Sequence, residues 1–136
     1  MFEKIDYKLL NSRQKENYNF QKLSAVLADY GFITHRLTDD WNGADLIAQD
    51  IHSDRFLKIQ LKGRMTFAEK YRGKDLYIAF RDQDDWYIYP HDTVLDQLLA
   101  ETTLGQTDSW QSGGYSFAGM SSSRKALLKP YQLAEV

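Results

Sequence analysis

The chain has no cysteine, which excludes disulfides, a cysteine nucleophile and thiolate metal sites. No apolar run approaches the length of a membrane span; the longest are strand-sized. No repeat, low-complexity tract or long linker divides the 136 residues, so one domain over 1–136 is expected. The opening Met1-Phe2-Glu3-Lys4-Ile5-Asp6 is charged from the start and does not read as a secretory signal. A cytoplasmic setting without membrane attachment is therefore the expectation. The three histidines, His35, His52 and His91, are scattered without metal-ligand spacing and read as surface or packing residues. Basic charge is missing from residues 82–108, which hold seven acids and no Lys or Arg.

The neighbouring segment has the opposite character. Residues 55–81 carry eight Lys or Arg against Glu69 and Asp75. A basic middle could attract phosphates, but charge alone favours two ordinary solvated faces that neutralise one another to a net charge of -2. At 43% hydrophobic and 14% aromatic content, the chain has the material for a packed core.

Periodicity predicts a helix over 12–30, with Phe20, Leu23, Val26, Leu27 and Tyr30 on one face, Ser12 as N-cap and Gly31 as stop. A strand at 32–37, a turn at 38–43 and a strand at 44–49 follow. After a turn at 50–54 comes a strand over 55–62, then a basic loop. Strands at 76–80 and 86–89 flank a polar turn. Asp92 is placed to cap a helix ending near Glu101. A polar loop over 102–114, a short strand at 115–118 and a helix at 121–129 stopped by Pro130 complete the chain. The pattern is α/β, or an α+β sandwich, with a mixed sheet.

The strand Phe56-Leu57-Lys58-Ile59-Gln60-Leu61-Lys62 carries the chemistry. Alternation puts Leu57, Ile59 and Leu61 on one face and Lys58, Gln60 and Lys62 on the other. That polar row is either a solvent-facing sheet surface or a site. Asp45 lies near the start of the preceding strand, and a short connection implies a hairpin that brings Asp45 near Lys62. Glu16 sits on the inward stripe of the first helix, where it either joins them or serves the helix dipole. A carboxylate, an amide oxygen and an ammonium suit phosphodiester hydrolysis. Mg²⁺ takes oxygen ligands and substrate phosphate oxygens, and a lysine counters charge on the phosphate. Asp45 and Lys62 on opposite faces of the sheet would refute this grouping.

Gly43-Ala44-Asp45 followed by Ile59-Gln60-Leu61-Lys62, after a helix containing Glu16, resembles the PD-(D/E)xK nuclease superfamily over roughly residues 12–90. The resemblance implies a restriction-endonuclease-like core with a central mixed β-sheet flanked by helices. It also implies metal-dependent cleavage of DNA, of a restriction, homing or junction-resolving type. By resemblance, Asp45 takes the family's aspartate position, Gln60 the acidic position, Lys62 the lysine and Glu16 the helical acid. Asp45, Gln60 and Glu16 would then hold Mg²⁺, with Mn²⁺ able to substitute. Small members act as dimers, which implies a homodimer or higher homo-oligomer. Ala44 replaces the motif's proline, a loose position. Gln60 replaces its acid; this is a variant with counterparts among active members, and it also suits an inactive nucleic-acid-binding or accessory subunit. Lys58, Arg64, Lys70, Arg72 and Lys74, on or after the catalytic strand, are the expected DNA contacts. An ordinary exposed loop is the alternative for the stretch after Lys62.

Overall fold

The computed structural model describes residues 1–134. After a 3-10 turn at Tyr7–Leu9, helix α1 spans Ser12–Asp29. Its cap is Asn11, one residue before the expected Ser12. Asn11 accepts from the Gln14 amide, and the Gln14 side chain accepts from the Asn11 amide, so two orphan N–H groups are satisfied together. Gly31 terminates the helix in the left-handed region, φ 80°, a conformation that costs glycine little.

Strand β1 (Phe32–Trp41) and strand β2 (Ala44–Asp50) form the first hairpin. β1 runs four residues beyond the expected 32–37, and the turn shrinks to Asn42-Gly43. Both turn residues have positive φ, 51° and 87°, and Trp41 pairs with Ala44 across them. This is the two-residue turn whose twist matches that of antiparallel strands and which Asn-Gly favours. The register shifts between Arg36 and Trp41, where the edge strand absorbs its extra residues.

Strand β3 (Phe56–Leu61) pairs antiparallel with β2. The basic loop expected next is instead partly ordered: strand β4 (Thr66–Ala68) runs into a 3-10 turn at Glu69–Tyr71. Strand β5 (Leu76–Asp82) then lies parallel to β3, and strand β6 (Asp85–Pro90) returns antiparallel. Helix α2 covers His91–Glu101. Its N-cap is Pro90, not Asp92. Asp92 sits in the first turn, where it accepts from the Gly73 amide and pairs with His91. The expected loop at 102–114 contains a 3-10 turn at Leu104–Gln106 and helix α3 (Asp108–Gln111). Strand β7 (Gly114–Ser116) pairs with β4, helix α4 spans Ser122–Leu128, and strand β8 (Gln132–Leu133) joins the sheet beside β6.

The result is a six-stranded mixed sheet in the order β1-β2-β3-β5-β6-β8 with helices on both faces. One face buries Leu46, Ala48, Leu57, Ile59, Ala79, Trp86 and Ile88 against Leu23, Val26 and Leu27 of α1. The other packs Ile78, Phe80, Tyr87 and Tyr89 against Val94, Leu95 and Leu98 of α2, with Phe67 and Tyr71 closing the layer. β5 and β6 are buried on both faces, which is why they read as nearly continuous apolar runs. No helix among the described residues is long and apolar enough to cross a membrane.

Candidate active site

The hairpin turn sets Asp45 just inside β2. The paired register of β2 and β3 runs from Gln49 with Phe56 to Leu46 with Ile59 and ends there. Beyond it the Lys62 amide turns to β5 and bonds the Ala79 carbonyl at 2.8 Å. Amide direction alternates along a strand, so the Leu61 amide turns the other way, toward β2. Asp45 fills the missing ladder position with its side chain: Oδ2 accepts from Leu61 N–H at 3.0 Å. The carboxylate is thereby fixed where the two strands part.

Asp45, Gln60, Lys62 and Glu16 line one open cleft of about 550 Å³ between α1 and the parting strands. Asp45 and Lys62 therefore line the same cleft. Lys58 does not line that cleft; its ammonium lies 5.6 Å from the Trp41 ring centroid. Glu16 is at the rim, its side chain 70% exposed and 4.0 Å from the guanidinium of Arg36.

Partial burial pushes the Asp45 carboxyl up from its ordinary value. The Leu61 N–H and the Lys62 charge oppose that rise, while Glu16 and Asp40 add to it. A carboxylate desolvated beside two other acids is stabilised by a nearby cation. Lys62 is held from below: its ammonium lies 5.6 Å from the Tyr71 ring centroid, a cation–π arrangement. Tyr71 is itself fixed by packing. It meets His91 edge-on at 5.6 Å, and its ring would lie 3.2 Å from a Cβ placed on Gly43. The turn before Asp45 and the support beneath Lys62 thus share one contact.

The residues after Lys62 divide. Arg64 and Lys70 are exposed, with Lys70 5.4 Å from the Tyr71 ring centroid. Lys74 is half-buried. Arg72 is engaged by acids, 3.0 Å from Asp96 and 3.9 Å from Glu69.

Beside Phe20 of the apolar helix face, the cleft contains residues that the sequence pattern did not single out: Tyr7, Lys15, Asn19 and Arg36. One of them left a signal. Phe32 packs against the α1 core and Thr34 bonds Ser24 of α1 at 2.7 Å, so Arg36 continues the same alternation as a charged residue on a helix-facing row. Lys15 and Tyr7 left none, because the fold of the first ten residues onto α1 has no periodic signature.

Among the described residues no group of three or more His, Cys, Asp or Glu is placed to hold a metal ion. The oxygen donors of the cleft include two carboxylates, Asp45 and Glu16, and the Gln60 amide.

No protein-family model and no curated protein matches the chain. Among solved structures, it is similar to Archaeoglobus fulgidus Hjc, a Holliday junction resolvase from an archaeal hyperthermophile. The identity is 15% and the TM-score 0.41, over 52% of this chain and 74% of that one.

Proposed function

We propose that this chain is a divalent-metal-dependent nuclease that hydrolyses phosphodiester bonds in DNA, built on the PD-(D/E)xK plan with Gln60 at the acidic position. The observation that carries the reading is the shared cleft, where a carboxylate locked into a broken β-ladder meets an amide oxygen and a supported ammonium.

The donors fit a hard cation that needs few protein ligands. Mg²⁺ commonly keeps several waters and takes one or two carboxylates plus substrate phosphate oxygens. Asp45 would supply the principal carboxylate, Gln60 its carbonyl oxygen, and Glu16 a second carboxylate directly or through water. Mn²⁺ would substitute. Such an ion supplies charge neutralisation at the phosphate and a more acidic attacking water. Lys62 donates to the phosphate oxygens, whose charge grows as the water oxygen bonds to phosphorus and the ester bond opens. Tyr71 keeps that ammonium in place. One such site cuts one strand, so a homodimer acting on both strands is part of the proposal.

Gln60 favours a second reading, an inactive nuclease-like subunit that only binds nucleic acid, because an amide brings no charge to the ion. Incubation with supercoiled plasmid in Mg²⁺, Mn²⁺ or EDTA separates the two. Nicking that requires the metal supports the nuclease; retained DNA binding without nicking under either metal supports the subunit.

A further inference from the structure

The charge of the cleft is not confined to the residues of the sequence motif. Its wall on the α1 side carries Arg36 from β1 and Lys15 from α1, and Tyr7 lines the same cleft. Arg36 is preset: its guanidinium is 5.4 Å from the Phe20 ring centroid and donates to the Asn17 side chain. Its acidic neighbour Glu16 is 4.0 Å away, and the two side chains are 43% and 70% exposed. Ion pairs that open and that long are weak, so Arg36 is available to a better anion. A phosphate takes two parallel hydrogen bonds from a guanidinium. Lys15 extends the wall, its ammonium 5.4 Å from the Tyr7 ring centroid. The Tyr7 oxygen accepts from Asn19 Nδ2 at 2.9 Å, which leaves its own proton to donate.

We propose that Arg36, Lys15 and Tyr7 form a second phosphate subsite, which holds a backbone phosphate next to the scissile one and leads the DNA strand out over the first turns of α1. This rests on the nuclease reading of the cleft and moves the strand's path away from the loop after Lys62. Arg72 in that loop is already paired with Asp96 and Glu69, whereas Arg36 and Lys15 line the cleft without a strong partner. Glu16, 4.0 Å from Arg36, lines the same cleft as Asp45; a phosphate on Arg36 would displace it from that pairing.

The test is binding of a fluorescein-labelled duplex DNA oligonucleotide by anisotropy in EDTA, across a salt series, beside cleavage of supercoiled plasmid in Mg²⁺. Arg36→Ala and Lys15→Ala should each weaken binding about tenfold and lower the salt slope by about one, because each phosphate contact releases condensed counterions. Arg36→Lys should recover the slope but only part of the affinity, since an ammonium cannot form the bidentate contact. Tyr7→Phe should weaken binding a few-fold and leave the slope unchanged, which separates a neutral donor from a charged one. Thermal melts identify any variant that has lost its fold, and Arg36→Lys then carries the test for that position. Plasmid cleavage by wild type with wild-type slopes in Arg36→Ala and Lys15→Ala would overturn the subsite and leave the nuclease reading standing. Reduced slopes in a protein that never cuts would support the subsite and overturn the nuclease. A wild type that neither binds nor cuts DNA would overturn both.

Discussion

Replacing His91 with Phe probes the link between the core and the cleft. The ring is fully buried. Ala68 N–H donates to its Nε2 at 3.1 Å, so that nitrogen carries the lone pair and Nδ1–H donates to Asp92 at 2.8 Å. Phe keeps the aromatic packing against Phe67 and Tyr71 but leaves the Ala68 amide without a partner. An unpaired buried donor costs about 1–3 kcal/mol, and the lost bond to Asp92 about 1 more. The sum, about 2–4 kcal/mol, corresponds to a fall in melting temperature of about 10 °C for a domain of this size. His91→Ala adds lost ring packing, for a total of about 5 kcal/mol or more. Acid provides a second signature. Burial chiefly pushes the His91 pKa below its ordinary value of 6.5; Arg72 adds to the fall, and Asp92 and Glu69 oppose it. The unfolded chain therefore takes up the proton first as pH falls. Stability is full above 6.5 and declines below it, by at most about 1.4 kcal/mol per pH unit. His91→Phe removes that decline, so the gap between the two proteins should narrow from pH 7.5 to pH 5. Melting curves at both pH values decide. A Phe variant within about 2 °C of wild type at pH 7.5, or a gap that does not narrow in acid, would refute this account of His91.

The other expectations concern the cleft directly. Lys62→Ala should lower the single-turnover cleavage rate by about 10²-fold, the scale of losing one preorganised donor, with DNA affinity largely kept. Gln60→Glu adds a second strand-borne carboxylate and should shift the Mg²⁺ dependence of cleavage to lower concentration; a shift upward would argue against Gln60 as a ligand. Gly43→Ala places a Cβ at φ 87°, 3.2 Å from Tyr71 and 3.3 Å from Leu76. It should destabilise the fold by about 1–2 kcal/mol from the backbone alone, read by chemical denaturation.

What the sequence made legible was periodic. Leu57 and Ile59 alternate with Lys58 and Gln60, and the structure buries the first pair against α1. The hairpin that carries Asp45 toward Lys62 followed from short connections. What stayed hidden was tertiary. The extension of β1 to Trp41 was marked by Asn42-Gly43, a turn signal submerged in the polar run from Thr38. β4 has no signature in the sequence, because three residues carry no period. It is held from outside, by Tyr89, whose hydroxyl donates to the Thr66 carbonyl at 2.6 Å and accepts from its amide at 2.9 Å. Asp92 was a plausible cap by type, yet its carboxylate is taken by Gly73 and His91, a competition that local sequence does not record. Arg36 and Lys15 belong to the cleft only because α1 folds back over the hairpin.

The most direct test of the central claim is plasmid nicking by Asp45→Asn beside wild type, in Mg²⁺ and in Mn²⁺. Asn is isosteric and can still accept from the Leu61 amide, so the parting of β2 and β3 is preserved and only the charge is removed. Metal-dependent nicking by wild type that Asp45→Asn abolishes, at unchanged thermal stability or higher, is the expected result. Nicking that survives Asp45→Asn at the wild-type rate would contradict the mechanism proposed for this cleft.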